Sequence, residues 1–301
     1  MLQKLPFNNP VLTASGTFGY ACEMSGVFDL SRLGGIIPKT ITLSSRSGNP
    51  APRTFETASG LLNSIGLDND GVDDFIEVKL PYLRTLGTKI IVSTAVKNLD
   101  ECAALGEKLQ AAEGIDAVEL NVSCPNVSGG VDFAADSKLC ERVVAAFCRN
   151  IKLPLFVKLS PNVFNIGEVA KGAESGGASG ISAVNTCLGL AIDWRRRLPR
   201  LGNFFGGLSG PAIKPIALRC VYQIFRAIKI PVIGIGGIST IDDAMEFFVA
   251  GASAIQIGTA NFYNPKAAIQ ILDALPAALS ELGAKNVAEI VGTLETIQNH
   301  Q

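Results

Sequence analysis

Residues 232–259, VIGIGGISTIDDAMEFFVAGASAIQIGT, contain a complete strand–helix–strand unit of an α/β protein. Short apolar runs at 232–236 and 254–258 predict buried strands, and the segment 241–250 between them has the apolar spacing of a helix. Gly251 stands just before the second strand, where glycine readily ends a helix in the left-handed conformation. The unit therefore predicts two parallel strands joined by a helix.

The same alternation extends through the chain. Further strands are predicted at 10–14, 35–40, 89–94, 117–123, 155–159 and 180–185, and further helices at 99–112, 137–150, 166–175, 215–228 and about 266–282. Eight strands alternating with helices predict an α/β fold, a parallel (β/α)₈ TIM barrel. The long connections 41–71 and 186–214 predict insertions at the C-terminal face of the strands. No linker divides the sequence, so we expect residues 1–301 to form a single domain.

Composition excludes several classes of protein. The 301 residues are 48% hydrophobic and carry 26 Lys and Arg against 27 Asp and Glu, a net charge of -1. This balance gives no basic field for nucleic acid or an anionic membrane. The sequence shows neither a membrane-spanning stretch nor a signal peptide, so we expect a cytoplasmic protein. Seven cysteines without a C-x-x-C pair indicate free thiols and no metal site.

Glycines and polar residues stand where the predicted strands end, which is where TIM barrels hold their active sites. The turns at Gly236-Gly237 and Gly258-Thr259 offer backbone N–H groups beside a helix that begins near Thr240, and they predict a phosphate site. A sugar phosphate, a nucleotide and FMN all fit this pattern. The amides of Asn63, Asn121, Asn126 and Asn185 can each donate and accept, which suits a planar imide ring.

Two lysines and one cysteine are the candidates for chemistry. Lys39 and Lys158 lie in predicted barrel strands, where a charge is costly unless paired. Because Glu119 is the only acid predicted within a barrel strand, we expect the lysines to face an anion or an electron-rich ring. Cys124 could act as a nucleophile or, as a thiolate, as a base. Cys187 is the alternative, whereas Cys102, Cys140, Cys148 and Cys220 fall on predicted helices and are expected to be packing residues.

Seven motifs together resemble the class 1 dihydroorotate dehydrogenases, FMN enzymes of pyrimidine (UMP) biosynthesis, over nearly the whole chain. They are ASGTFG at 14–19, PKT at 38–40, GNPAPR at 48–53, LNSIGL at 62–67, ELNVSCPN at 119–126, VNT at 184–186 and GIGG at 234–237. KLSPN at 158–162 and GGLSGPAIKP at 206–215 are more similar to the class 1B catalytic subunit than to the fumarate-using class 1A enzyme. Ser93 departs from the family, which usually has Asn there, and Cys187 stands where Leu is expected.

The resemblance implies an oxidation of dihydroorotate to orotate, in which Cys124 removes the C5 proton while the C6 hydride passes to flavin N5. Implied substrate contacts are Lys39, Asn63, Ser64, Ile65, Gly66, Leu67, Asn121, Asn126, Asn185 and Thr186. Implied FMN contacts are Ser15, Lys39, Thr40, Ser93, Asn121, Lys158, Val184, Gly210, Gly236, Gly237, Gly258 and Thr259. The resemblance also implies a homodimer, and for class 1B a heterotetramer with a subunit that carries FAD and [2Fe–2S] and passes electrons to NAD⁺.

Other interpretations stay open at this point. A phosphate-binding barrel isomerase or lyase could use Lys39 or Lys158 without a flavin, and a regulatory barrel could bind a ligand without catalysis. The run Trp194-Arg-Arg-Arg197 predicts a solvated loop, with docking of a partner as the alternative.

Overall fold

The computed structural model describes residues 5–123 and 136–295. Within these ranges the strands are β1 Val11–Thr13, β2 Thr54–Thr57, β3 Gly60–Asn63, β4 Ile91–Thr94, β5 Ala117–Asn121, β6 Leu155–Leu159, β7 Gly180–Ala183, β8 Cys187–Gly189, β9 Ile192–Asp193, β10 Leu198–Pro199, β11 Gly206–Ser209, β12 Val232–Ile235 and β13 Ala252–Ile257. The helices are α1 Val72–Asp74, α2 Leu80–Arg84, α3 Leu99–Ala111, α4 Ser137–Cys148, α5 Ile166–Ser175, α6 Lys214–Ala227, α7 Ile241–Ala250, α8 Ala260–Tyr263 and α9 Ala267–Glu281.

Seven strands form one curled parallel sheet in the order β1-β13-β12-β7-β6-β5-β4. The helices that connect them pack outside, where α4 contacts α5, α5 contacts α6 and α6 contacts α7. This arrangement confirms the predicted parallel α/β barrel.

The predicted strand at 35–40 is wrong as a regular strand. The segment lies between β1 and β4 but is joined to them only by isolated bridges, Leu12 with Gly35, Ile36 with Ile90 and Ile41 with Thr94. Pro38 has no N–H to donate, and the N–H of Ile37 donates to the Thr13 hydroxyl at 3.0 Å instead of to a backbone carbonyl. Side-chain bonding thus replaces part of the ladder at this position of the ring.

The barrel interior is layered. Its lower layer is apolar and consists of Leu12, Ile37, Ile91, Ala117, Phe156, Ile233 and Ala254. Side chains alternate between the two faces of a strand, so residues two positions further along face the interior again. At that next level five positions carry polar side chains, namely Lys39, Ser93, Glu119, Lys158 and Gln256, whereas Ala14 and Ile235 are apolar. The apolar layer closes the bottom of the barrel, and the polar layer forms the floor of any binding site above it.

The two long connections predicted from the sequence form a second sheet at the C-terminal face of the barrel. It is antiparallel with the order β2-β3-β11-β8, and Asn63 of β3 pairs with Gly207 of β11. Beside it β9 and β10 pair as a hairpin whose turn carries Trp194. The side chain of Trp194 is 69% exposed, and the Arg195 guanidinium stacks over its ring at 4.2 Å. The run 194–197 is thus an exposed turn, as predicted.

Candidate functional site

A cavity of about 540 Å³ opens between the carboxyl ends of the parallel strands and the antiparallel sheet. Eighteen of the predicted site residues line it: Ser15, Lys39, Thr40, Asn63, Ser64, Ile65, Gly66, Leu67, Asn121, Lys158, Val184, Asn185, Thr186, Gly210, Gly236, Gly237, Gly258 and Thr259. Cys124 and Asn126 lie outside the described residues. A second groove, between α3 and α4 on the outer surface, contains none of the predicted residues.

The glycine turns at one end of the cavity have unused hydrogen-bond donors. Gly236 and Gly237 have φ of 127° and 79°, in the left-handed region that glycine tolerates. Within the described ranges, no group accepts the backbone N–H of Gly236, Gly237, Gly258 or Thr259. Four backbone donors that line one cavity and have no acceptor among the described residues are able to bind an anion.

The adjacent helix N-terminus contributes less than the sequence predicts. α7 begins at Ile241, and the carboxylate of Asp243 in its first turn accepts from the N–H groups of Ser239 and Thr240 at 2.9 Å each. The same carboxylate accepts from the Lys214 ammonium at 2.7 Å. Burial favours a higher pKa for Asp243, but these donors outweigh it and lower the pKa to about 2. Asp243 therefore fixes the turn before α7 and occupies the N–H groups of Ser239 and Thr240, which directly precede the helix.

Lys158 has a carboxylate partner, contrary to the expectation from the sequence. Its Nζ lies 3.4 Å from Oε1 of Glu119 and 3.2 Å from the hydroxyl of Ser15. Both side chains are buried, at 6% and 0% exposure. Lys39 differs, because no carboxylate in the described part of the chain lies within ion-pair distance of its ammonium group. The cavity thus holds one compensated cation and one available for an anion.

Three of the four predicted amides meet at the cavity. Nδ2 of Asn185 donates to Oδ1 of Asn121 at 3.2 Å, and Nδ2 of Asn63 donates to the carbonyl of Gly207 at 3.2 Å. Asn162, which was seen only as part of a motif, also lines the cavity and donates to the Thr186 carbonyl at 3.0 Å. These bonds fix the orientation of amides that can then recognise a planar polar ring.

Ser93 does not line the cavity. It is fully buried, and its hydroxyl lies 2.9 Å from that of Thr40, which does line it. The flavin contact of Ser93 stays a prediction; in the described structure its hydroxyl reaches the cavity lining only through Thr40.

Of the described cysteines, none is placed as a base. Cys187 lies on β8 beside the cavity but does not line it, and burial raises the pKa of its thiol although Arg219 opposes the shift. Cys102, Cys140 and Cys220 are buried on helices and Cys148 is half-buried, as the packing role predicts. Burial raises the pKa of Cys102 to about 11 and that of Cys140 to about 12.

Several lining residues were not predicted individually. Ser209, Gly207 and Leu61 come from the antiparallel sheet, and the Ser209 hydroxyl accepts from the Thr259 hydroxyl at 2.7 Å. The motif at 206–215 is the feature of the sequence that points to this part of the lining, but it does not indicate which strand β11 pairs with. In the part of the chain that is described, no helix is long and apolar enough to cross a membrane, and no group of three metal-ligating side chains occurs.

Comparison with known proteins identifies close relatives. The dihydroorotate dehydrogenase family matches residues 1–279. The catalytic subunit of dihydroorotate dehydrogenase B (NAD(+)) from Desulforamulus reducens is 49% identical over 290 residues, which cover 96% of this chain and 95% of that protein. The proteins of the same name from Geotalea uraniireducens and Bacteroides thetaiotaomicron are 48% and 49% identical over 293 residues each, covering 97% of this chain and 96% and 97% of theirs.

Proposed function

The chain belongs to the dihydroorotate dehydrogenase family, and from that premise we propose that it is the catalytic subunit of a class 1B enzyme. It oxidises dihydroorotate to orotate in pyrimidine biosynthesis, and the electrons pass to NAD⁺ through a partner subunit. The observation that carries the proposal is the single cavity in which unused backbone donors, two lysines and three oriented amides converge.

FMN, the cofactor of this family, fits the donor set of the cavity. The free N–H groups of the two glycine turns suit a phosphate, and we assign Gly236, Gly237, Gly258 and Thr259 to it. Ser15, Thr40, Lys158, Val184 and Gly210 line the cavity beyond the turns and are assigned to the remainder of FMN. When bound, FMN supplies the acceptor for the hydride from C6 of the substrate.

The substrate carboxylate and ring are assigned to the other end of the cavity. Lys39 supplies a cation without a carboxylate partner among the described residues, and Asn63, Asn121, Asn185 and Thr186 supply amide and hydroxyl groups for the ring. The loop 64–67 lines the same side, and Asn126 is assigned there from the motif. Cys124 is assigned as the base that takes the C5 proton.

The assembly is proposed from the names of the relatives. They are called catalytic subunits, which supports a partner that carries the rest of the electron path. We extend the proposal to a heterotetramer, in which a homodimer of this chain binds two subunits that carry FAD and [2Fe–2S].

The test is an anaerobic absorbance titration of the purified chain with dihydroorotate. We expect a flavin band that bleaches on addition of the substrate. A flavin-loaded chain that does not bleach would contradict the proposed substrate. A chain that neither contains nor binds FMN would contradict the flavin itself and leave the isomerase or lyase interpretation.

A further inference from the structure

A buried polar chain runs beneath the cavity, from β13 through β5 to β6. Gln256, Glu119 and Lys158 are 1%, 0% and 5% exposed, so all three are shielded from solvent. Nε2 of Gln256 donates to Oε2 of Glu119 at 2.7 Å, and Oε1 of Glu119 lies 3.4 Å from Nζ of Lys158. Of these three residues, Lys158 alone lines the cavity. Glu119 and Gln256 therefore make no direct contact with a ligand in the cavity, and Lys158 connects them to its lining.

Burial of the Glu119 carboxylate at this position is energetically unfavourable in itself. Removing a charge from water costs several kcal/mol after relaxation, and the cost is offset only where a counter-charge and hydrogen bonds satisfy the group. The layer of the barrel directly below is apolar. Apolar side chains in place of Glu119 and Lys158 could also fill this level, since a protein with such a replacement is often as stable as one with a buried ion pair. Packing alone thus does not explain why Glu119 occupies this level.

The side-chain amide of Gln256 is oriented toward the Glu119 carboxylate, although this orientation leaves its own oxygen without a hydrogen bond among the described residues. Its Nε2 donates to Glu119, while its Oε1 has no hydrogen-bond partner in the described structure. A buried acceptor without a hydrogen-bond partner destabilises the folded state. The amide therefore serves the carboxylate first, which holds Glu119 at one end and leaves its other oxygen for the ammonium group.

We propose that Glu119 is a positioning residue that fixes the Lys158 ammonium at the floor of the flavin site and lowers the reduction potential of the bound flavin. The inference rests on the proposed function. Reduction by hydride adds negative charge to the flavin, which a nearby cation stabilises. Glu119 offsets part of the Lys158 charge, so it makes the flavin harder to reduce. Gln256 maintains this arrangement by holding the carboxylate.

The experiment is a redox titration of the FMN-loaded chain against a reference dye. Glu119→Gln keeps the shape of the side chain but removes its charge, and we expect the reduction equilibrium to shift at least tenfold toward the reduced flavin, or about 30 mV for two electrons. Gln256→Met removes the donor to Glu119 at similar volume and is expected to shift the equilibrium in the same direction by less. Should Glu119→Gln fail to fold or to bind FMN, Gln256→Met carries the test alone.

Thr94→Val is the matched control. Thr94 is fully buried on β4, and its hydroxyl donates to the Ile41 carbonyl at 3.1 Å, away from Lys158. It should lower the thermal stability and leave the potential unchanged. An unchanged potential in Glu119→Gln, or an equal shift in Thr94→Val, would overturn the inference. Failure of the proposed function would appear differently, as a wild-type chain that lacks flavin or does not bleach with dihydroorotate.

Discussion

At the scale of single residues, our proposal assigns the proton transfer to the thiol of Cys124, because the chain's one histidine lies far along the sequence from the motifs of the site. That histidine is His300, the second-to-last residue of the sequence. We predict that Cys124→Ala lowers the rate at which dihydroorotate reduces the flavin at neutral pH by at least about 100-fold, the usual worth of a positioned base. FMN should stay bound, because its assigned contacts lie elsewhere. Stopped-flow bleaching and the flavin content of the purified variant measure the two effects.

Cys187→Ala is the control for that prediction. Its thiol does not line the cavity, and burial raises its pKa, so little thiolate is available at neutral pH. We expect its bleaching rate to remain close to that of the wild type. A large loss in Cys187→Ala together with an unaffected Cys124→Ala would move the base from the β5 loop to β8.

At the scale of elements, the antiparallel sheet holds the substrate side of the cavity. Gly207 of β11 pairs with Asn63, and a Cβ built on Gly207 would lie 2.0 Å from Oγ1 of Thr186. Gly207→Ala should displace Thr186 and raise the KM for dihydroorotate roughly tenfold or more, since small displacements of positioning groups are costly. FMN content should not change. Steady-state kinetics with a dye acceptor measure the effect.

Gly189→Ala provides the comparison within the same sheet. Its one tight Cβ contact would be with the flexible end of Leu62, at 3.2 Å, and the others lie at ordinary contact distance, so the strand can adapt. Its KM should stay near the wild-type value. Equal effects of the two substitutions would indicate a general weakening of the sheet and contradict the specific role of Gly207.

The turn before α7 gives a prediction for acid stability. The pKa of Asp243 is lowered to about 2, so its contribution to stability is complete above the ordinary value of about 3.9 and is lost as the pH falls toward about 2. Asp243→Asn should lower the free energy of unfolding by about 2 kcal/mol at neutral pH, because it loses charge-assisted bonds to Lys214, Ser239 and Thr240. Thermal unfolding should show that difference shrinking between about pH 4 and pH 2.

A surface ion pair supplies the reference for Asp243. Asp273 pairs with Arg32 while about half of each side chain is exposed, so Asp273→Asn should cost little at any pH. A pH-independent difference between Asp243→Asn and the wild type would contradict the assigned role of the carboxylate.

The sequence predicts those elements well whose boundaries are set by neighbouring residues, and it predicts poorly those that depend on pairing between distant segments. β6, α5 and α7 agree with prediction at both ends, because apolar runs and periodic helices carry their own boundaries. The antiparallel sheet could not be predicted, since its pairing of Asn63 with Gly207 joins two distant insertions. The ion pair of Glu119 and Lys158 is not evident from the sequence either, because the pairing of β5 with β6, which brings the two side chains together, is a property of the folded barrel.

At the scale of the whole molecule, the path of electrons out of the barrel is the remaining question. The cavity at the strand ends is the size of an ordinary ligand site, and we have assigned it to FMN and dihydroorotate. The relatives are named as catalytic subunits of an enzyme that uses NAD⁺, which places the contact with NAD⁺ on another subunit in our proposal. A chain that is reduced by its substrate should therefore lack a direct route to the acceptor.

We accordingly predict that the isolated chain, once bleached by dihydroorotate under anaerobic conditions, stays reduced when either NAD⁺ or fumarate is added. Addition of a subunit that carries FAD and [2Fe–2S], together with NAD⁺, should restore the flavin band. Absorbance at the flavin maximum follows each step in one cuvette, and the partner without NAD⁺ is the control. Rapid reoxidation by fumarate would support the class 1A alternative, and reoxidation by NAD⁺ alone would show that the barrel itself admits the nicotinamide. The acceptor thus discriminates between the class 1B proposal and the class 1A alternative.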